Sequence, residues 1–218
     1  MNKKYELIVF DWDGTLMDST AAIVRAIQAA SRDLGLPLPS ESAARQVIGL
    51  GLVDALSAAV PQLPAERYPE MVERYRHHYL SRDHELVLFA GIVDLIKELA
   101  DAGYMLAVAT GKSRHGLNRA LLQSGLKSYF HASRCADECH SKPHPQMLQE
   151  LMEALVSPPE RTLMIGDTSH DLLMAQNAGV GALGVTYGAH PGEHLAEHGP
   201  LACLHSVEEL RTWLRMHA

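Results

Sequence analysis

Three cysteines stand in 218 residues (Cys135, Cys139 and Cys203), too few and odd in number for a disulfide framework. Aromatic side chains make up only 6% of the chain. No apolar run reaches membrane-spanning length, and Met1-Asn2-Lys3-Lys4 leads straight into an apolar segment without a secretory leader. A reduced, soluble, cytoplasmic protein with no membrane partner is expected. Positive charge is also scarce, with 19 basic against 26 acidic residues and a formal net charge of −7. That balance excludes a general nucleic-acid binder, which needs a basic face, yet it permits a small anionic ligand served by a few local cations. Lysine is absent between Lys4 and Lys97. Nothing in the sequence specifies an oligomeric state.

What is present is an apolar content of 47%, ample for a packed core. Short apolar runs end in residues able to do chemistry: Leu7–Phe10 before Asp11, Met105–Ala109 before Thr110, Leu163–Gly166 before Asp167, and Ala182–Val185 before Thr186 and Tyr187. A weaker strand is expected over Tyr129–Ser133, followed by a loop carrying Lys142. Helical patterns lie between these runs and stop at Gly103, Gly125 and Gly179. Such alternation predicts an α/β fold, a Rossmann-like doubly wound parallel sheet covered by helices on both faces. Ligands bind such sheets beyond the carboxyl ends of the strands, where the polar residues fall.

Residues from about Ser19 to about Leu86 break the alternation. They carry helical stripes, such as Ile23, Ile27, Ala30 and Leu34, and no strand pattern. An inserted all-α domain over 19–86 is expected, with the core formed by 1–18 and 87–218. Its position beyond the first strand makes it a candidate lid. The stripe Tyr68, Met71, Val72, Tyr75 and Tyr79 is read as packing within that insertion.

Asp11 and Asp13 stand two apart at the end of the first strand, so an extended backbone directs both to one side. Paired anions in a buried setting call for a cation. Asp167 and Asp171 add carboxylates at another strand end, and hard oxygen ligands with room for water suit Mg²⁺. An ionised Asp11 is an oxygen nucleophile, and Asp13 is placed to donate and accept a proton. Thr110 and Gly111 offer a hydroxyl and open backbone N–H groups at a helix start, and Lys142 a point cation. These residue types together suit in-line phosphoryl transfer.

Asp11-Trp12-Asp13-Gly14-Thr15, Val108-Ala109-Thr110-Gly111-Lys112, Ser141-Lys142-Pro143 and Gly166-Asp167-Thr168-Ser169-His170-Asp171 resemble, in order, the four motifs of the haloacid dehalogenase superfamily. The helical insertion resembles its C1-cap branch, which includes phosphoglycolate phosphatases and β-phosphoglucomutases. The resemblance implies an aspartyl-phosphate on Asp11 and general acid–base work by Asp13. It implies Mg²⁺ held by the Asp11 carboxylate, the Asp13 carbonyl and Asp167, supported by Asp171. Phosphoryl oxygens would meet Thr110, Gly111, Lys142 and the backbone around Trp12, Asp13 and Gly14. Asp13 favours phosphoryl transfer over dehalogenation, and the lysine-free insertion excludes Schiff-base phosphonate chemistry. The loop Ile48-Gly49-Leu50-Gly51-Leu52 resembles that of phosphoglycolate phosphatases and lacks the arginine expected of a mutase, although Arg45 is close by.

The resemblance therefore implies a phosphatase acting on a small phosphorylated, phosphoglycolate-like metabolite. The alternatives are a β-phosphoglucomutase-like phosphomutase and a non-catalytic phospho-ligand binding protein. Gly111 stands where phosphoglycolate phosphatases often carry Asn. Lys112 and Arg114 are read as solvated helix-start residues. Cys135, Cys139, His140 and His144 share a zinc-like spacing but flank Lys142 in a loop, and no structural zinc is expected. His190, His194 and His198 recur every four residues, but Pro191 and Gly192 interrupt that stretch, so they are expected on the surface.

Overall fold

The strands are short parallel runs, the central ones apolar and paired on both sides, and together they form one sheet. The computed structural model describes residues 3–218, so Met1 and Asn2, assigned above to the core, lie outside the described residues. The sheet is built from β1 (Leu7–Phe10), β2 (Met105–Thr110), β3 (Ala132–Cys135), β4 (Thr162–Gly166), β5 (Gly181–Val185) and β6 (Ala202–Leu204). Their order is β3-β2-β1-β4-β5-β6, and every pair is parallel. β1 is central and fully buried, with Phe10 opposite Val108 on one side and Ile165 on the other. The order reverses across β1, which opens a crevice at the carboxyl end of β1 and its neighbours.

Among the described residues, ten α-helices accompany the strands. Four of them, α1 (Thr20–Asp33), α2 (Glu41–Gln46), α3 (Leu52–Ala59) and α4 (Tyr68–Leu80), lie between β1 and β2. The remainder are α5 (Ile92–Asp101), α6 (Arg114–Ser124), α7 (Gln146–Leu155), α8 (Ser169–Asn177), α9 (Gly192–Ala196) and α10 (Val207–His217). α5, α6 and α10 cover one face of the sheet, packing Leu95, Leu117 and Leu210 with Ile8 and Phe10. α7, α8 and α9 cover the other, packing Leu148, Leu172 and Leu195 with Leu7 and Val9. Alternate residues of β1 thus feed two cores, as a two-sided sheet requires. The four inserted helices have their own core around Ile27, Leu56 and Met71. The two connections to the insertion run side by side, with Asp18 N–H donating to Val87 O and Phe89 N–H to Leu16 O, each at 3.0 Å.

Two elements differ from the sequence expectation. The strand expected over Tyr129–Ser133 lies over Ala132–Cys135, because Lys127–Tyr129 forms a 3₁₀ turn. The sixth strand, Ala202–Leu204, is three residues long with one buried side chain, too short to show a period. No helix among the described residues is long and apolar enough to cross a membrane.

Candidate active site

The chain leaves β1 at Asp11 and turns at once. Gly14 adopts a positive φ of 80°, and a Cβ there would lie 2.1 Å from Asp167 Oδ2, so only glycine lets this turn press against β4. Its N–H donates to Met17 O at 2.9 Å and is therefore spent within the turn. Gly14 contributes space to the site, and the phosphate-binding N–H expected of it is not available. The next residue, Thr15, donates its hydroxyl to Asp167 Oδ1 at 2.8 Å. Ala189 N–H donates to Asp167 Oδ2 at 2.7 Å, which fixes both oxygens of that carboxylate.

Asp171 sits in the first turn of α8, where Thr168 N–H and Thr168 Oγ1 donate to its Oδ2 at 3.1 and 2.7 Å. This capping box aims the remaining oxygen, Oδ1, at Lys142 Nζ, 2.6 Å away. Lys142 also lies 2.8 Å from Asp11 Oδ1. Its burial opposes the charge, but Asp11 and Asp171 together outweigh that and hold the ammonium above its usual range. Asp11 has its pKa pushed up to about 7, first by burial, with Lys142 pulling it down and Asp171 and Asp13 adding to the rise. Asp167 is raised well above the carboxylate range by burial and by Asp11.

Asp11, Asp167 and Asp171 each bring a carboxylate oxygen within 4.8 Å of the others. Lys142 meets Asp11 Oδ1, while the equally buried Oδ2 has no hydrogen-bond partner among the described residues. Three buried carboxylates facing one lysine leave an excess of negative charge, which a hard divalent cation such as Mg²⁺ would neutralise. The donor set fits that ion. Asp13 has turned its side chain elsewhere: Ser19 Oγ donates to its Oδ1 at 2.6 Å and Lys112 Nζ lies 3.0 Å from its Oδ2.

Thr110 is fully buried at the end of β2, and its Oγ1 accepts the Lys112 N–H at 3.2 Å. Gly111 lies under the Gly49–Gly51 loop, and a Cβ on it would meet Leu50 O at 2.3 Å and Gly49 O at 2.6 Å. Gly51 N–H donates to Ser141 Oγ at 2.8 Å, beside Lys142. Trp12 is fully buried, its ring edge-on to Phe130 at 6.5 Å, so the indole belongs to the core. Arg45 pairs with Glu41 at 3.0 Å on its own helix and lies outside the cavity lining.

Several contributors escaped the sequence reading. Lys112 is not a solvated helix-start residue; its Nζ contacts Asp13 and donates to the Tyr79 hydroxyl oxygen at 3.0 Å. Tyr75 and Tyr79 pack against the core of the insertion, as the stripe implied, and they also line the cavity that reaches Asp11. His190 is buried, not on the surface. Its Nδ1 accepts the Ser169 N–H at 3.0 Å, and burial with the neighbouring His170 pulls its pKa down to about 4. The His170 ring lies 2.9 Å from Gln46 O, joining α8 to the insertion. Spacing does carry one clue, since Lys112 follows Thr110 by two residues. Cys139 lies 3.7 Å from Glu150, and among the described residues the three aspartates are the one group able to share a metal.

A family model described as haloacid dehalogenase-like hydrolase matches residues 8–185. The chain is 39% identical over 211 residues to a probable phosphatase IndB of Dickeya dadantii, covering 94% of this chain and 91% of that one. It is 34% identical over 217 residues to a phosphoglycolate phosphatase of Vibrio vulnificus, covering 95% of both. Among solved structures, a predicted phosphoglycolate phosphatase from Haemophilus somnus 129pt superposes with a TM-score of 0.86 at 25% identity, over 97% of this chain and 99% of that one.

Proposed function

The chain belongs to the haloacid dehalogenase-like hydrolase family, and on that premise we propose that it is a Mg²⁺-dependent phosphatase. Its substrate is a small phosphorylated metabolite, and the reaction passes through an aspartyl-phosphate on Asp11. The observation that carries this reading is the state of Asp11: buried at the end of the central strand, with Oδ1 against Lys142 at 2.8 Å and Oδ2 without a hydrogen-bond partner among the described residues. A carboxylate so costly to bury, with one oxygen left unpaired, suits a nucleophile better than a structural role.

Asp11, Asp167, Asp171 and the Asp13 carbonyl would hold Mg²⁺, which when bound supplies positive charge to the phosphoryl oxygens and favours the ionised form of Asp11. Lys142 and Thr110, with backbone N–H groups of Trp12, Asp13 and Gly111, orient the phosphoryl group in line with the Asp11 oxygen. Asp11 forms the new P–O bond while the ester P–O bond breaks, and Asp13 gives its proton to the departing oxygen. Asp13 then takes a proton from the incoming water, whose oxygen attacks phosphorus and releases Asp11. Ser19 and Lys112 hold the Asp13 carboxylate for this step. Residues 19–86 act as a cap that excludes bulk water over the core of 1–18 and 87–218. Phosphatase is favoured over mutase because Arg45 lies outside the cavity lining.

p-Nitrophenyl phosphate hydrolysis with Mg²⁺, with EDTA, and with Asp11→Asn tests the reading. Turnover that needs the metal and vanishes in the folded variant supports it. Full activity of Asp11→Asn ends the covalent mechanism, and no turnover by the parent protein favours a binding protein.

A further inference from the structure

Between the helical insertion and the sheet ends lies a cavity of about 820 Å³ that opens from Asp11 and Thr110 toward α1, α3 and α4. Cavities of roughly 300–1,000 Å³ hold drug-sized ligands, so this one is far larger than a two-carbon acid requires. The size is not the result of a raised cap. On one side His170 reaches Gln46 O at 2.9 Å and Gly51 N–H reaches Ser141 Oγ at 2.8 Å. On the other, Arg119 pairs with Asp83 at 2.8 Å and Lys112 meets Tyr79 at 3.0 Å. The cap is seated on the core along both edges and the volume persists.

Its walls are mainly aliphatic, with Ile23, Ile27, Val47, Ile48, Val72 and Leu88 among them. A two-carbon leaving group would leave these side chains facing water and would gain little from burial. The less exposed cations of the wall are already paired. Lys112 is held by Asp13 and Arg119 by Asp83, while Arg76 and His115 are exposed to solvent. A carboxylate or a second phosphate on the leaving group would enter without an unspent buried partner, at a desolvation cost. Tyr75 and Tyr79 add flat surface, their rings 5.8 Å apart and within 15° of parallel on the α4 side of the cavity. Rigid rings of this kind favour a flat partner at small entropic cost.

Resting on the phosphatase reading, we propose that the leaving group is a bulky, largely uncharged alcohol bearing a flat ring, recognised by Tyr75, Tyr79 and the aliphatic wall. Two-carbon acids and pyrophosphate are then poor substrates. Tyr75 and Tyr79 are specificity-determining residues supplied by the cap.

The test compares kcat/KM for ethyl phosphate and 2-phenylethyl phosphate, both of which release primary alcohols of similar acidity. 2-Phosphoglycolate and pyrophosphate are run beside them with Mg²⁺ present. Burial of the ring predicts a preference for 2-phenylethyl over ethyl phosphate of about tenfold to a hundredfold. Tyr75→Ala and Tyr79→Ala each shrink that ratio severalfold, and Tyr75→Phe keeps it. A lead for 2-phosphoglycolate or pyrophosphate, or a ratio near unity, overturns the leaving-group assignment and leaves the phosphatase reading standing. No turnover of any of the four, nor of p-nitrophenyl phosphate, removes both.

Discussion

Lys112 Nζ lies 3.0 Å from Asp13 Oδ2, so the proposed acid–base is tied to a cation that also touches the cap. The same nitrogen donates to the Tyr79 hydroxyl oxygen at 3.0 Å and stands 4.9 Å from the centre of its ring. Burial opposes the charge of Lys112, but Asp13 and the two phenols hold it above its usual range. The proton transfer proposed for Asp13 and the contact between cap and core therefore share one side chain.

Lys112→Met removes that tie while keeping the length of the stem. Without it, Asp13 has only Ser19 to orient it, and small errors in placing a proton-transfer group are costly. We expect kcat to fall about tenfold to a hundredfold with the far-UV spectrum unchanged. An unaltered kcat would show that Lys112 is a bystander to the Asp13 step.

Gly111→Asn tests the closeness of the cap loop. A Cβ at this position meets the carbonyl oxygens of Leu50 and Gly49 at 2.3 and 2.6 Å, and backbone cannot retreat as a flexible side chain can. The cap of the variant should ride higher, with kcat/KM down by about tenfold or more and faster proteolysis at the 83–88 connection. Wild-type kinetics with wild-type resistance to proteolysis would mean that the loop yields freely.

The sheet and its polar strand ends were legible in the sequence because a buried parallel strand must be nearly all apolar. A carboxylate or hydroxyl after such a run is conspicuous, as at Asp11, Thr110 and Asp167. Inserted helices were legible from stripes such as Ile23, Ile27 and Ala30, all buried in α1. What escaped depends on partners remote in sequence. Lys112 at a helix start looks solvated until Asp13 and Tyr79 fold against it. His190 looks exposed beside Pro191 until Ser169 N–H and Gln46 O are found around its ring. Three-residue β6 offers no period at all.

His170 and His190 bear on the same closure from the other edge, since both rings approach Gln46 O, at 2.9 and 3.3 Å. His170→Ala deletes one donor to the cap without touching the sheet. A net loss of about 1 kcal/mol in cap seating is expected. With it, KM should rise severalfold and the thermal midpoint shift little. A large drop in midpoint with unchanged KM would make His170 a core residue rather than a contact that seats the cap.

Gly188→Ala probes the second carboxylate. Its Cβ would lie 2.3 Å from Asp167 Oδ2 and 2.4 Å from Gly14 O, in the space between β5 and the Gly14 turn. Asp167 must shift, and with it one of the three carboxylates of the cluster. Titration with Mg²⁺, read as activity and as thermal stabilisation, should show affinity weakened by about tenfold or more. Equal affinity would show that Asp167 is not needed for the metal.

Asp11 ties stability to pH and metal in a direction that can be fixed beforehand. The aspartate ionises near 3.8 when unperturbed, and burial in the folded protein holds its proton until about 7. Between these values the folded state binds more protons than the unfolded one, so this residue costs stability as pH rises through the window. Asp11→Asn cannot titrate and is free of that cost. In EDTA, the thermal midpoint of the parent protein minus that of Asp11→Asn should decrease from about pH 5 to about pH 8. Mg²⁺ requires the ionised carboxylate, so its addition should raise the parent midpoint more at the alkaline end and the variant much less. A difference that stays flat with pH, together with equal Mg²⁺ stabilisation of both proteins, would separate Asp11 from the metal altogether.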